Sequence, residues 1–277
     1  MRAYVRLLRP VNALMSALAV WIGAIVAVGW DVAVSRAPAV ALGSMTTFLF
    51  TGAGNALNDF YDRDVDRVNH PKRPIPAGEI APAKALDAAL LLFALSVLLA
   101  IFINAAALAL VILSLFLMIA YETRFKASGW SGNLLIAWLV GSLFLFAGLC
   151  VYRGATAPLQ IAASLAVLAG LSNVGREIVK DIEDVAGDTG RTTLPKRRGV
   201  PYAGRAAQGF LVTAVVLSAA PAALGLLSMW YVPIVAVADA VFIYAALYAT
   251  RSPRRSERSM KVAMVLALLA FLAGGLS

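Results

Sequence analysis

Asn58-Asp59-Phe60-Tyr61-Asp62-Arg63-Asp64-Val65-Asp66 closes a long apolar run that begins near residue 38, and its carboxylates decide how the chain is read. Asp59, Asp62 and Asp66 follow one another at offsets of three and four. Asp181, Asp184 and Asp188 repeat those offsets 122 residues later, again at the foot of an apolar run. Residues at i, i+3 and i+7 project from one face of a helix, so each triplet reads as three crowded carboxylates. Such crowding is repulsive unless a cation joins it. Oxygen ligands without a Cys or His set favour Mg2+, which a few carboxylates hold together with substrate phosphates. Two such clusters facing each other would accept a diphosphate and its magnesium ions.

A single cluster could be a solvated helix end with Arg63 and Arg67 as its salt-bridge partners. Repetition of the whole spacing favours a site. Asn58, four residues before Asp62 and eight before Asp66, adds a neutral oxygen ligand.

The composition belongs to a membrane protein: 61% of the residues are hydrophobic, 14% are charged and the mean hydropathy is +0.82. Cys150 is the single cysteine and His70 the single histidine. An intramolecular disulfide, a cysteine zinc cluster and His-based metal sites are therefore excluded. The net charge of +9 would suit nucleic acid, but the basic residues border the apolar runs. Membrane topology and anionic headgroups explain that placement, and no nucleic-acid partner is expected. Met1–Pro10 is short and basic, and the stretch from Val11 to Trp30 is long enough to span and lacks a small-residue cleavage region, so no cleavable signal is read.

Runs of about 17–25 apolar residues predict nine spans. They lie near 11–30, 38–58, 86–104, 106–121, 132–152, 156–179, 203–227, 229–250 and 259–276. The expectation is an all-α, polytopic membrane protein, one integral-membrane domain over 1–277, with its helices around a central cavity. Ile103-Asn104 alone separates the third and fourth spans, which predicts a tight helical hairpin. With the amino terminus in the cytoplasm, every Lys and Arg except Arg36 and Arg153 falls on the cytoplasmic side, and both acidic clusters fall there too.

The two cytoplasmic loops echo each other further. Arg73-Pro74-Ile75-Pro76-Ala77-Gly78 follows the first cluster and Leu194-Pro195-Lys196-Arg197-Arg198-Gly199 the second, with Pro74/Pro195 and Gly78/Gly199 each 121 apart. Each cluster ends the second span of a four-span set. The pattern predicts an internal repeat of two four-helix sets with the site at their interface.

These residues resemble the UbiA-type intramembrane prenyltransferases. Asn58 to Asp66, continuing to Arg73-Pro74-Ile75-Pro76-Ala77-Gly78, is similar to the family's N-D-x-x-D-x-x-x-D followed by R-P-x-x-x-G. Asp184-Val185-Ala186-Gly187-Asp188, preceded by Gly175-Arg176-Glu177-Ile178-Val179-Lys180-Asp181, is similar to its second motif. The resemblance covers essentially the whole chain. It implies that Asn58, Asp62, Asp66, Asp181, Asp184 and Asp188 hold Mg2+ directly or through water, with Asp62, Asp66, Asp184 and Asp188 catalytic. It implies that Arg63, Arg67 and Lys126 steady the diphosphate of a prenyl substrate. Tyr121 and Lys126 resemble the family's Y-x-x-x-K element and are expected at the substrate, although here four residues separate them; the alternative is an interfacial Tyr with a loop Lys. The implied chemistry is departure of the diphosphate and formation of an allylic cation in a cavity that keeps water out.

Leu7-Leu8-Arg9-Pro10-Val11-Asn12-Ala13-Leu14-Met15 looks like the opening of the digeranylgeranylglyceryl phosphate synthase branch of the family. That likeness implies transfer of a geranylgeranyl group to the hydroxyl of geranylgeranylglyceryl phosphate, with Asn12 facing the substrate cavity; Asn12 could instead cap the first helix. An aromatic acceptor like 4-hydroxybenzoate is the alternative within the family. A transporter would share the spans and the repeat, but would place its binding groups near the bilayer midplane. A CDP-alcohol phosphotransferase would set two glycines among its aspartates, and neither triplet has them. Asp239, in mid-span, is either functional or an interhelical contact.

Overall fold

With no water in the hydrocarbon layer, a spanning segment must satisfy its own peptide groups, and the apolar runs do so as helices. In the computed structural model, which describes residues 2–126, 128–185 and 192–276, all regular structure is helical. The helices are α1 Arg2–Leu8, α2 Pro10–Val28, α3 Trp30–Ser35, α4 Ala37–Tyr61, α5 Arg63–Asn69, α6 Pro82–Ile101 and α7 Ala105–Ala120. After a π-helical turn, Tyr121–Phe125, come α8 Trp130–Cys150, α9 Ala157–Asp184, α10 Leu194–Arg198, α11 Val200–Ser218, α12 Ala220–Ala223, α13 Tyr231–Tyr248 and α14 Pro253–Gly275. Proline stands in the first two positions of α2, α4, α6, α9, α11 and α14. A missing N–H is harmless there and the fixed φ suits the helix, so these prolines set where the spans begin.

The expected hairpin forms around Asn104. Its Oδ1 accepts the Ala107 N–H (2.8 Å) and caps α7, while its Nδ2 donates to the Leu149 carbonyl (2.8 Å) and ties the turn to α8. Small residues bring α8 against α9. A Cβ on Gly141 would stand 2.6 Å from the Ala166 carbonyl oxygen, and one on Gly148 2.5 Å from the Ala162 methyl. Lipid supplies no hydrophobic drive between helices, so such close approach is how they associate.

Helix α4 packs between α2 and α6, and α9 between α8 and α11; α2 also packs on α8 and so joins the two groups. Between them lies a cavity of about 910 Å³. Its deeper wall is apolar, with Phe50, Leu110, Val111, Leu139, Leu143 and Phe146. Its mouth is where the acidic helix ends lie. Outward, Phe116 (67% exposed), Met229 (88%) and Trp230 (68%) stand clear of the protein, as lipid-facing side chains do.

Among the described residues eight helices are long and apolar enough to cross a membrane, so the chain is a multi-pass membrane protein; the expected count of nine is not reproduced there. The difference is the run at 38–58. Helix α4 has the length, but Thr46, Thr47, Thr51, Asn55 and Asn58 on it line the cavity, and these polar residues lower its hydropathy. The expected span at 203–227 is present as Val200–Ala223, with α11 ending at Ser218 and the short turn of helix α12 carrying Pro221. The echo between the two loops reaches the backbone at one pair, since Gly78 (φ 72°) and Gly199 (φ 83°) both take the positive φ that glycine tolerates.

Candidate active site

Backbone hydrogen bonding carries α4 into α5 without losing register. The Asp62 N–H donates to the Asn58 carbonyl, the Asp66 N–H to Asp62 and the His70 N–H to Asp66, each at 2.8 Å. Residues 58, 62, 66 and 70 therefore share one face, and all four line the cavity. This corrects the expected i, i+3, i+7 face. Asp59, one residue on from Asn58, is turned aside and 1% exposed, where it pairs with the Arg9 guanidinium and with Arg73 (3.4 Å). Arg73 spans the two faces by also holding Asp66 at 2.5 Å.

The same rotation places the two arginines of the motif elsewhere. Arg63 donates to the Phe60 carbonyl (2.8 Å) and lies over the Phe60 ring, while Arg67 pairs with Asp64 at 3.3 Å on the exposed side. Neither lines the cavity. Asn12 and Tyr121 do line it.

The irregular spacing of Tyr121 and Lys126 has a structural answer. The chain between them is π-helical, and the Lys126 N–H donates to the Tyr121 carbonyl five residues back at 2.8 Å. The wider turn absorbs one extra residue and keeps both side chains at the cavity, with the Lys126 ammonium 5.9 Å from the centre of the Tyr121 ring. Lys126 Nζ stands 2.8 Å from both Asp62 and Glu122, and Glu122 accepts from Asn58 Nδ2 at 3.1 Å. The Glu122 side chain is only 2% exposed, so this carboxylate is held by two donors rather than by water.

Across the cavity, α9 presents Glu177, Lys180, Glu183 and Asp184. Asp181 is turned the other way and accepts from Asn133 Nδ2 on α8 at 3.0 Å. Asp188 lies outside the described residues. Glu177 pairs with its neighbour Arg176 (2.8 Å), while Arg176 with Glu257 (3.3 Å) and Glu183 with Arg254 (2.7 Å) fasten α9 to α14 at this end. Asp239 does not line this cavity: it accepts from Ser218 Oγ at 2.7 Å and links α13 to α11.

Among the described residues no three acidic, His or Cys side chains form a ready-made cage for a metal ion. The carboxylates at the mouth are matched with cations instead, Asp62 with Lys126 and Asp66 with Arg73. The donor set nonetheless fits Mg2+. It is all oxygen, it comes from Asn58, Asp62 and Asp66 on one wall and Asp184 on the other, and such an ion is completed by water and substrate phosphate rather than by protein alone. Sequence reasoning assigned Arg9, Arg73 and Glu122 no role at the site, and Asp59, one of the expected cluster carboxylates, faces away from the cavity. Their signals were faint: Arg9 opens the Arg-Pro-Val-Asn stretch, and Glu122 stands four residues before Lys126.

Residues 14–273 match the model of the UbiA prenyltransferase family. The digeranylgeranylglyceryl phosphate synthase of Methanopyrus kandleri is 39% identical to this chain, covering 99% of each. The solved structure described as giving structural and mechanistic insights into digeranylgeranylglyceryl phosphate synthase in membranes superposes with a TM-score of 0.85 at 30% identity, over 99% of this chain and 98% of the other. A UbiA homolog from Archaeoglobus fulgidus, solved bound to GPP and Mg2+, shares the fold with a TM-score of 0.66 at 22% identity, over 98% of each chain.

Proposed function

Because the chain belongs to the UbiA prenyltransferase family, we propose that it transfers a geranylgeranyl group from its diphosphate to the free hydroxyl of geranylgeranylglyceryl phosphate, making the second ether bond of a membrane lipid. One observation carries this reading beyond the family: two helix ends rich in oxygen ligands, α4–α5 and α9, open on a single cavity whose deeper wall is apolar. The diphosphate would lie at the mouth and the isoprenoid chain along Phe50, Leu110, Leu143 and Phe146. The relatives from Methanothermobacter thermautotrophicus (36% identical) and Methanopyrus kandleri (39%) bear the name digeranylgeranylglyceryl phosphate synthase, which supports the glycerophosphate acceptor over the aromatic one.

Asn58, Asp62, Asp66 and Asp184 would hold Mg2+, which when bound neutralises charge on the leaving diphosphate. Lys126 and Lys180 line the same mouth and would bind the diphosphate oxygens directly. Glu122 fixes where the Lys126 ammonium stands. The allylic C–O bond then breaks, the acceptor oxygen forms its bond to the same carbon, and the hydroxyl proton departs. Phe50, Tyr121 and Phe146 offer ring faces to the developing cation, and the apolar wall keeps out water that would trap it as an alcohol. We read the mouth and the amino terminus as facing the cytoplasm, and the excess of Lys and Arg on that side supports this reading.

Product analysis tests this reading. Purified protein given geranylgeranyl diphosphate with geranylgeranylglyceryl phosphate and 4-hydroxybenzoate in competition should release diphosphate and form the diether phosphate. EDTA should stop the reaction and Mg2+ restore it. Consumption of the aromatic acid with the glycerol phosphate left intact would contradict the acceptor assignment.

A further inference from the structure

A second cleft of about 490 Å³ adjoins the main cavity, lined by Arg6, Arg9, Asp59, His70, Lys72 and Arg73 along with Pro71 and Pro74. Arg9, His70 and Arg73 line both spaces and so form the wall between them. The two differ in charge. The main cavity carries Asp62, Asp66, Glu122, Glu177, Glu183 and Asp184, an acidic excess that suits an anion arriving with metal. The cleft has Asp59 as its one acidic lining residue, already shared by Arg9 and Arg73, against four basic side chains.

Its walls are built. Arg6 is held by Glu79 (2.8 and 3.0 Å) and by the Lys72 carbonyl, which ties α1 to the loop after α5. Arg9, between α1 and α2, is the only described non-glycine residue with positive φ (48°, ψ 68°). Pro10 after it disfavours the helical region, and the left-handed conformation costs free energy in any residue with a Cβ. Strain of this kind persists where surrounding structure over-determines it, commonly at ligand clamps. Here it brings the Arg9 guanidinium onto Asp59 at the wall between the two spaces.

We propose that this cleft is a phosphate-monoester subsite, and that it holds the phosphate of the acceptor lipid while the prenyl diphosphate occupies the acidic cavity. The proposal rests on the glycerophosphate acceptor named above. Fixed guanidinium and ammonium groups bind a dianionic phosphate without metal. The division lets one substrate's charge be met by Mg2+ and the other's by side chains, which keeps the two anions from competing for one place. Lys72 stands exposed at the rim, and its ammonium has no ion pair among the described residues. The other five cationic or titratable lining residues, Arg6, Arg9, Asp59, His70 and Arg73, also build the walls, so Lys72 is the cleanest probe.

The test measures both KM values for the full chain in bilayers, in wild type, Lys72→Gln, Lys72→Glu and Lys72→Arg. Lys72→Gln should raise KM for geranylgeranylglyceryl phosphate about tenfold and Lys72→Glu further, with Lys72→Arg close to wild type and KM for the prenyl diphosphate within about twofold throughout. The difference between wild type and Lys72→Gln should collapse for geranylgeranylglycerol, which lacks the phosphate. Inorganic phosphate should compete with the acceptor and not with the prenyl diphosphate, which separates the cleft's affinity for phosphate from its hold on the lipid. Unchanged acceptor KM in both neutral and reversed variants, equal shifts in both KM values, or phosphate competing with the prenyl diphosphate would overturn the cleft and leave the acceptor assignment standing. A wild-type protein that does not prenylate the phosphate-bearing acceptor would overturn the acceptor assignment itself.

Discussion

Lys126 and Asp62 lie 64 residues apart in sequence and 2.8 Å apart in the fold. The ammonium pairs with the Asp62 carboxylate at the acidic mouth. In the proposed reaction a diphosphate bound there would give it further partners while Asp62 served the metal. Glu122, on the other side of the same ammonium, keeps it from swinging away.

Replacing Lys126 therefore removes a direct partner of the leaving group. Lys126→Met should lower kcat/KM by about a hundredfold or more, the usual loss for a preorganised group aimed at transition-state charge. Diphosphate release assayed in detergent or bilayers checks it; a variant within about threefold of wild type would place the diphosphate elsewhere.

The π-helical turn makes a separate prediction. Deleting Thr123 should return the segment to α-helix, with the lysine now four residues after Tyr121 and its N–H still on the Tyr121 carbonyl, so both side chains keep their places at the cavity. Activity should stay within about threefold of wild type, with helical content by circular dichroism unchanged. A loss as deep as in Lys126→Met would mean that the π turn itself, and not only the placement of the two side chains, is needed.

Asn104 links the α6–α7 hairpin to α8. Asn104→Ala loses a helix cap and the side-chain donor to the Leu149 carbonyl, which keeps only the longer bond from the Tyr152 N–H (3.3 Å), at a cost of about 1–3 kcal/mol together. Thermal unfolding in detergent should show a lower midpoint, while KM for both substrates stays near wild type because Asn104 is remote from the mouth.

Topology is open to direct labelling, since Cys150 is the single cysteine and is fully buried. Cysteines placed at Arg73 and Lys196 should react from the cytoplasmic side and one at Arg36 from the opposite side. Opposite labelling of positions 73 and 196 would set the two acidic helix ends on different sides of the bilayer and remove the shared site.

Much of this was legible in the chain. Apolar run lengths located the helices, and the paired aspartates located the mouth of the cavity. What escaped has identifiable causes. The face that meets the cavity runs through Asn58, Asp62 and Asp66, and a motif alone does not say how a helix is rotated. That rotation sends Arg63, Arg67 and Asp181 to other partners. Tyr121 and Lys126 looked misaligned because spacing rules assume an α-helix, and a single π turn breaks them. Arg9 and Asp59 meet only through tertiary packing, 50 residues apart, with nothing local to announce it. Helix α4 is too polar to count as a span by hydropathy because it serves the cavity.

The central claim is that the two acidic helix ends serve one substrate, and a double-mutant cycle on Asp62 and Asp184 tests it most directly. Each of Asp62→Ala and Asp184→Ala should lower kcat/KM by about a hundredfold or more with the helical fold intact. Because both act on the same metal-bound diphosphate, the double variant should be little worse than either single one. More than about a tenth of wild-type activity in either single variant, or losses that multiply in the double one, would contradict a shared site.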